Sequence, residues 1–344
     1  MEHDATDPLE RARALVRHDF DAFEVELAGA LDPQKDYLSE TEHELYRRGK
    51  KLRPLMLLLS ARLCAGAEGE LPRKAVRAAV SLEMLHVATL IHDDIVDLAP
   101  MRRGLRTVYA QRGTAMAVLI GDMQFIQAVR CFADAVETDK DMRLVRLVLE
   151  VGFKICCGEL DELLTDAGAS SGALRQRYYQ VVDRKTAALF GLACEAGAYL
   201  VGARTRLTFF LSRFGRRFGR AFQIMDDIFD LVRPDAVSGK AAGTDLAQRR
   251  FSLPIIYALE ELPEEHAARR IMRGESCGDD ELRAAVRDVA RSNGVLRAWS
   301  EARTMMIEGL QALEVLPDGP FRRALVEVSE YVVNRGFRQL DARL

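Results

Sequence analysis

The chain has 344 residues, of which 29% are charged and 49% hydrophobic, with a formal net charge of −3. This composition is ordinary for a globular protein, and the lack of a basic excess predicts no nucleic-acid partner. No apolar run approaches the roughly 20 residues that span a bilayer, and the acidic N-terminus does not resemble a secretory signal. Since the cysteines form no CxxC pair, we expect a cytoplasmic protein with reduced thiols and no transmembrane segment.

Along the chain, apolar residues recur at three- and four-residue spacing, which predicts α-helices and no strand of useful length. The long predicted helices are 74–98, 114–137, 141–164, 175–201 and 207–231. The predicted loops are 31–37, 66–72, 99–106, 166–173 and 233–250. No Ser- or Gly-rich linker divides the chain. We therefore predict one all-α domain over residues 1–344, a single large helical bundle around a deep central cavity, with an N-terminal helical segment (1–39) and a C-terminal helical tail (265–344).

The first concentration of charge lies at the end of the first long helix, where residues 92–104 read HDDIVDLAPMRRG. Asp93 and Asp97 are four residues apart and so share one helix face, where like charges repel by a few tenths of a kcal/mol. Two arginines, Arg102 and Arg103, follow at once. Such a segment needs a cation to offset the carboxylates and an anion to match the arginines.

A second cluster with the same spacing, QIMDDIFDL, occupies residues 223–231. One such cluster would ordinarily be a solvated helix end, but two copies that each follow an apolar helical run favour a metal site. Carboxylates without His or Cys are hard ligands that suit Mg²⁺ rather than zinc. Two motifs facing each other would hold Mg²⁺ ions around a polyphosphate, and Arg102 and Arg103 would neutralise phosphate oxygens beyond them.

Further polar residues stand where a phosphate pocket could use them. Lys50 and Arg53 begin a helix, Lys185 and Thr186 interrupt an apolar helix, and Lys240 follows the second motif. Each has an ordinary explanation when taken singly, since a lysine can be solvated or can extend from a buried stem to the surface. His86, seven residues before Asp93 and on the same helix face, would alone be a core histidine. Together these residues indicate one anionic substrate site.

The ordered segments GKKLRP, EMLHVATLIHDDIVD, RRG, GD (121–122), DRKTAALF, GRAFQIMDDIFDL and GKAAGTDL resemble the trans-isoprenyl diphosphate synthases, or polyprenyl synthetases. The resemblance covers about residues 40–260 and is weaker over 265–344. It implies the all-α isoprenoid synthase fold, usually a homodimer, with three Mg²⁺ ions per active site. It also implies a prenyltransferase that condenses isopentenyl diphosphate head to tail with dimethylallyl, geranyl, farnesyl or geranylgeranyl diphosphate, giving an all-trans polyprenyl diphosphate.

The resemblance assigns roles to the matching positions. The metal ligands are Asp93, Asp97, Asp226 and Asp230, supported by Asp94 and Asp227. The residues that hold isopentenyl diphosphate are Lys50, Arg53, His86 and Arg103. The residues that contact the allylic diphosphate are Arg102, Lys185, Thr186, Gln223 and Lys240. The residues expected to act in catalysis are Asp93, Asp97, Lys185, Thr186, Gln223, Asp226 and Lys240. The departures from the family pattern, which bear on substrate preference and turnover, are Leu98, Leu105, Glu162, Arg249 and Arg250.

Product length depends on the residues that precede the first motif. The growing chain should run along the helix that ends at Asp93, where Thr89, Ala88, Leu85 and Leu82 form successive levels of roughly 16 Å of wall. In the family that the sequence resembles, bulky aromatics four and five residues before the motif close the tunnel. Both residues are small here, so we expect a C30 to C40 product, with Phe125 or Phe132 as the floor.

Other functions remain open from the sequence alone. A short-chain farnesyl or geranylgeranyl diphosphate synthase would differ only in tunnel depth. A class I terpene cyclase shares the fold, but it normally has an Asn/Ser/Glu-type second motif and an aromatic pocket, whereas 7% of this chain is aromatic. A non-catalytic subunit of a heteromeric synthase could lose the aspartates or the basic residues, and all of them are present.

Overall fold

A computed structural model describes residues 7–102, 104–134, 136–139, 141–232 and 243–341, with side chains as far as 334. The described chain is almost entirely helical, which confirms the predicted all-α class. The helices of the N-terminal half are α1 (Pro8–Leu15), α2 (Arg17–Leu31), α3 (Glu40–Arg47), α4 (Leu52–Ala65), α5 (Arg73–Val96), α6 (Val108–Ala133) and α7 (Met142–Leu163). Those that follow are α8 (Ser171–Val182), α9 (Ala188–Leu200), α10 (Thr205–Val232), α11 (Thr244–Ala247), α12 (Leu253–Glu261), α13 (Ala267–Met272), α14 (Asp279–Arg291), α15 (Asn293–Leu313) and α16 (Pro320–Asp341).

The chain divides into two compact units, each made from separate stretches of sequence. The first unit comprises residues 1–152, 189–215 and 309–329, and the second comprises 153–188, 216–308 and 330–344. The first aspartate motif belongs to the first unit and the second motif to the second unit. The expectation of one domain over 1–344 stays a prediction.

The first unit is built around α4 and α5, which are apolar on nearly all sides. Leu55 to Leu59 on α4 and Leu82 and Leu85 on α5 have no exposed surface. A helix that is hydrophobic all round must be covered on all sides, and α5 packs against α6, α4 and α2. Arg62 on α4 forms a bidentate ion pair with Asp19 on α2, with both N–O distances at 2.6 Å. This core fixes the end of α5, and therefore the first aspartate motif.

Several local details differ from the sequence prediction. Residues 99–106, predicted as a loop, contain a small antiparallel pairing of β1 (Met101–Arg102) with β2 (Leu105–Arg106). Helix α6 begins at Val108, earlier than the predicted 114, because two helical pieces join across Gly113, which has a φ of 79°. The helix predicted over 175–201 is interrupted by a π-helical segment at Asp183–Ala187. The predicted loop 233–250 includes the short helix α11.

Helix α6 is apolar in composition, yet much of its surface is exposed. By length and composition, both α5 and α6 could cross a bilayer, but 78% of the apolar window of α5 is buried within the protein against 33% for α6. The expectation of a cytoplasmic protein without a spanning segment stays a prediction. The six cysteines are free thiols, as expected, although Cys156 is exposed whereas Cys194 is buried.

Candidate active site

The first aspartate motif ends α5 with its three carboxylates in different surroundings. Asp93 and Asp97 are partly exposed. Asp94 is 1% exposed and accepts a hydrogen bond from Nε of Arg102 at 2.7 Å. The β1–β2 pairing brings Arg102 back over the end of the helix. The structure therefore places two carboxylates outward and uses Arg102, which we expected to contact substrate, to neutralise the third.

The turn after the motif fixes the end of α5. Leu98 has a left-handed φ of 49°, and the amide N–H of Ala99 donates to the carbonyl of Asp94 at 3.0 Å while that of Leu98 donates to Ile95 at 3.2 Å. This is a Schellman motif, in which glycine is the usual left-handed residue. A leucine there carries steric strain of about 1–2 kcal/mol. The departure at Leu98 is thus a strained helix cap beside the first aspartate motif.

The lysines of GKKLRP have different environments at the start of α4. Lys50 is exposed, whereas Lys51, with a φ of 48°, is 9% exposed and donates to Glu24 at 2.5 Å. Lys50 is therefore the more exposed of the two lysines. The guanidinium of Arg53 lies 4.6 Å from the ring centre of Phe190, which orients it by a cation–π contact.

Gly121 of the GD pair has a packing reason to be glycine. A Cβ at this position would lie 2.2 Å from Nε2 of His92, which a real side chain cannot do. The same imidazole lies 3.2 Å from the carbonyl of Val118 and 3.5 Å from a carboxylate oxygen of Asp122. Gly121 therefore lets α6 approach the motif end of α5 closely.

The face of α5 before the motif contains the residues expected to line the product tunnel. Ala88 is 1% exposed and Thr89 is partly exposed, with its hydroxyl donating to the carbonyl of His86 at 2.7 Å. Leu85 and Leu82 lie further down and are fully buried. On α6, Phe132 is 2% exposed. The roles of these residues as wall and floor stay predictions.

The second aspartate motif, on α10, repeats the arrangement with different partners. Asp226 is exposed and Asp230 partly exposed, while Asp227 is 7% exposed. The Tyr178 hydroxyl donates to Oδ2 of Asp227 at 2.5 Å, and Nε2 of Gln223 donates to Oδ1 at 2.9 Å. Both donors are neutral. Burial raises the pKa of Asp227 to about 7, opposed by these two hydrogen bonds and assisted by the nearby Asp226.

Asp245, on α11, is a further acidic residue of this region that was not among the predicted ligands. Its backbone N–H donates to Oδ2 of Asp230 at 3.0 Å. Desolvation and the carboxylates of Asp230 and Asp227 raise the pKa of Asp245 well above its usual value. The segment GKAAGTDL contained this residue, but nothing in its spacing placed it beside Asp230.

Lys185 and Thr186 lie in the π-helical segment between α8 and α9. Single π turns inside α-helices occur frequently at functional sites. Nζ of Lys185 lies 2.5 Å from Glu159 and 2.6 Å from Glu162, both on α7. The close approach requires Gly158, because a Cβ there would lie 2.8 Å from Cγ of Lys185. The departure at Glu162 therefore acts on Lys185.

The carboxylates of both motifs fit Mg²⁺. They are oxygen ligands without His or Cys, which is the donor set that Mg²⁺ prefers. Among the described residues, no three His, Cys, Asp or Glu side chains are close enough to hold an ion by themselves. An Mg²⁺ ion usually takes one or two carboxylates and completes its shell with water and substrate phosphate. Arg103 and Lys240, both predicted substrate contacts, lie outside the described residues.

Comparison with known proteins identifies the family. The polyprenyl synthetase family model matches residues 35–289. The chain belongs to the polyprenyl synthetase family. This membership shows that the protein is a trans-prenyltransferase and confirms the isoprenoid synthase fold expected from the sequence.

Relatives in this family have several different products. A nonaprenyl diphosphate synthase from Mycobacterium tuberculosis is 35% identical and covers 83% of each chain. Heptaprenyl diphosphate synthase component 2 from Geobacillus stearothermophilus is 30% identical over 96% of this chain and 99% of its own. A geranylgeranyl diphosphate synthase from Methanosarcina mazei is 31% identical over 84% and 86%. A Caulobacter crescentus polyprenyl synthase structure, complexed with calcium and isoprenyl diphosphate, has a TM-score of 0.84 and 27% identity, covering 95% and 98%.

Proposed function

We propose that this polyprenyl synthetase carries out the Mg²⁺-dependent, head-to-tail condensation of isopentenyl diphosphate with an allylic diphosphate, giving an all-trans product of C30 to C40. The observation that carries the proposal is shared by both aspartate motifs. In each, the carboxylates at the first and fifth positions of the motif reach solvent, while the carboxylate at the second position is buried and hydrogen-bonded. Two outward carboxylates on one helix face are what a metal bound to substrate phosphate requires.

The predicted substrate contacts form two sets, one for each diphosphate. Lys185, Thr186 and Gln223 contact the allylic diphosphate, and the positive charge of Lys185 stabilises it as its carbon–oxygen bond breaks and the bonding electrons leave with the diphosphate. Bound Mg²⁺ supplies additional charge neutralisation of that leaving group. Lys50 and Arg53 hold isopentenyl diphosphate, whose double bond attacks the allylic cation. The released diphosphate accepts the proton that is then lost.

The proposed product length rests on the side chains of α5 that precede the first aspartate motif. The side chains of Ala88 and Thr89 are small, and we propose on this ground that the first levels below Asp93 admit a chain longer than farnesyl. The relatives with nonaprenyl and heptaprenyl products support a long tunnel, whereas the geranylgeranyl relative supports the shorter alternative. A product of C15 or C20 would show that a residue other than these two sets the floor.

We also propose a homodimer built on the exposed apolar side chains of α6. Leu119 and Ile126 are 63% and 66% exposed, and Leu149 on the adjacent α7 is 48% exposed. Exposed apolar patches of this kind mark protein interfaces, and a second copy would present the same surface. Substituting Ile126→Asp should give a monomer in size-exclusion chromatography with light scattering. The control Val25→Asp, at a 73% exposed apolar residue of α2, should leave the dimer intact.

The decisive test of function uses the purified chain alone. Radiolabelled isopentenyl diphosphate, Mg²⁺ and each of the four allylic primers are incubated with it, and products are measured by mass spectrometry, with EDTA as the control. We expect consumption of isopentenyl diphosphate only with Mg²⁺. Turnover that requires a second protein would instead support a heteromeric component, the alternative favoured by the Geobacillus relative.

A further inference from the structure

A chain of hydrogen bonds within the second unit connects the π-helical segment to the second aspartate motif. The Thr186 hydroxyl donates to Oε1 of Gln223 at 2.7 Å, and Nε2 of Gln223 donates to Oδ1 of Asp227 at 2.9 Å. Tyr178 completes the chain from the other side, with its hydroxyl 2.5 Å from Oδ2 of Asp227. Each oxygen of this buried carboxylate thus has its own donor from the protein.

Tyr178 is not among the residues assigned to the substrates or to the metal. Its side chain is 7% exposed, so its hydroxyl serves the protein interior and not solvent. A buried phenol normally requires a hydrogen-bond partner, and here that partner is the middle residue of the metal motif. Removing the hydroxyl would leave Asp227 with one donor in a site whose neighbours are already acidic.

The geometry of the helix explains why this contact matters for the metal ligands. Asp226 and Asp230 are four residues apart and share one face of α10, while Asp227 lies about 100° around the helix. Holding Asp227 inward from two sides fixes the rotation of this turn about the helix axis. The same chain reaches Thr186, the neighbour of Lys185, so the orientation of the carboxylates is linked to that of the substrate-binding cation.

We propose that Tyr178 is a positioning residue: by holding Asp227, it sets the orientation of Asp226 and Asp230 for Mg²⁺ relative to Lys185 and Thr186. The proposal rests on the proposed function, in which Asp226 and Asp230 bind the metal. Partners that orient metal ligands typically contribute 10–100-fold to metal affinity, although they do not touch the ion.

The adjacent tyrosine provides a matched control. Tyr179 is the next residue of α8, and its hydroxyl donates to Glu301, a carboxylate that also accepts from Tyr257. Tyr178→Phe and Tyr179→Phe therefore each remove one hydroxyl from one carboxylate, but only the first carboxylate belongs to the metal motif. Any general destabilisation of α8 should appear in both variants.

The test measures binding of Mn²⁺, as a paramagnetic substitute for Mg²⁺, to the full chain in the presence of inorganic pyrophosphate by electron paramagnetic resonance. Tyr178→Phe should raise the Kd of the weakest-held Mn²⁺ about tenfold, and Tyr179→Phe should leave it at the wild-type value. In turnover assays, Tyr178→Phe should shift the Mg²⁺ activation midpoint in the same direction, while kcat at saturating Mg²⁺ stays within a few-fold of wild type.

The possible outcomes separate this inference from the proposed function. If Tyr178→Phe binds Mn²⁺ as tightly as wild type, or if Tyr179→Phe weakens binding equally, Tyr178 has no positioning role and the proposed function stands. If the wild-type chain binds no Mn²⁺ with pyrophosphate, both proposals are overturned. A double-mutant cycle with Asp227→Asn adds a further check, because residues that act through one contact should be non-additive in Mn²⁺ affinity.

Discussion

In the first aspartate motif the buried carboxylate, Asp94, faces the guanidinium of Arg102, whereas in the second the buried carboxylate, Asp227, faces the phenol of Tyr178 and the amide of Gln223. The charge of Asp94 is therefore paired with a cation, whereas Asp227 has neutral donors and burial raises its pKa to about 7. The same five-residue spacing thus gives the same outward pair of carboxylates on two different supports. The support, and not the spacing, should decide how each motif responds to substitution.

The largest expected effect tests what the motifs share. Asp93→Ala and Asp226→Ala should each lower kcat by about 10³-fold at saturating Mg²⁺, because each removes charge stabilisation from the leaving diphosphate. Thermal denaturation should show an intact fold in both, since neither carboxylate is buried. Asp21→Ala, at an exposed aspartate of α2, serves as the control. Near-wild-type turnover in either motif variant would contradict a metal-binding role for that motif.

The second prediction tests how the supports differ. Arg102→Met leaves the carboxylate of Asp94 buried beside an apolar group, which typically costs about 3–5 kcal/mol. Tyr178→Phe removes one neutral donor from Asp227, for which about 1–3 kcal/mol is typical. Chemical denaturation should therefore show the larger loss of unfolding free energy for Arg102→Met. Adding Asp94→Ala to Arg102→Met should recover part of it, and equal losses in the two single variants would mean that the ion pair contributes no more than a neutral hydrogen bond.

The sequence predicted the helices that contain the two motifs, but it could not predict the contacts of their side chains. The periodic apolar residues located α5 and α10, and the repeated aspartates indicated a polyphosphate site, because both signals are local. Nothing local distinguishes Asp94 from Asp93, or Lys51 from Lys50, since the distinction depends on partners that are distant in sequence, such as Glu24. Tyr178, 49 residues from Asp227, could be found only in the folded protein.

Two irregularities of the backbone could not be predicted from the sequence for a related reason. The π-helical segment at Asp183–Ala187 lies inside an apolar run whose spacing fits an ordinary α-helix. Leucine is an unexpected residue for the left-handed position after the first motif, where glycine signals a helix end more plainly. Both irregularities lie beside predicted substrate or metal residues. Sequence rules for regular structure are expected to fail at such places, because functional sites retain local conflicts that the rest of the fold compensates.

The third prediction concerns which residues bind which substrate. Arg53→Ala and His86→Ala should mainly raise the KM for isopentenyl diphosphate, by about 10–100-fold if each loses a charge-assisted contact of about 1.5–3 kcal/mol. Lys185→Ala should instead raise the KM for the allylic diphosphate and lower kcat, since it also acts on ionisation. Initial rates with each substrate varied in turn would separate the two effects. If Lys185→Ala altered only the KM for isopentenyl diphosphate, the assignment of the two sites would be reversed.

Substitutions at the residues that precede the first motif should have the smallest effect on the reaction rate and the clearest effect on the length of the product. Four and five residues before Asp226 stand Phe222 and Ala221, and the ring of Phe222 stacks on Phe218 with centroids 6.2 Å apart. The corresponding residues before Asp93 are Thr89 and Ala88, neither of which has a ring, and we therefore propose that the product chain grows along α5 and not along α10. Ala88→Phe or Thr89→Phe should therefore shorten the product to C15 or C20 while the Mg²⁺ activation midpoint stays at its wild-type value. The activation midpoint is the control, because a change in it would mean that the ring had disturbed Asp93 and not filled the tunnel.

Phe132→Ala, at the proposed floor, should lengthen the product if that ring ends the tunnel. Mass spectrometry of the products from one primer distinguishes these cases, and an unchanged product in both α5 variants would show that the chain grows along another helix.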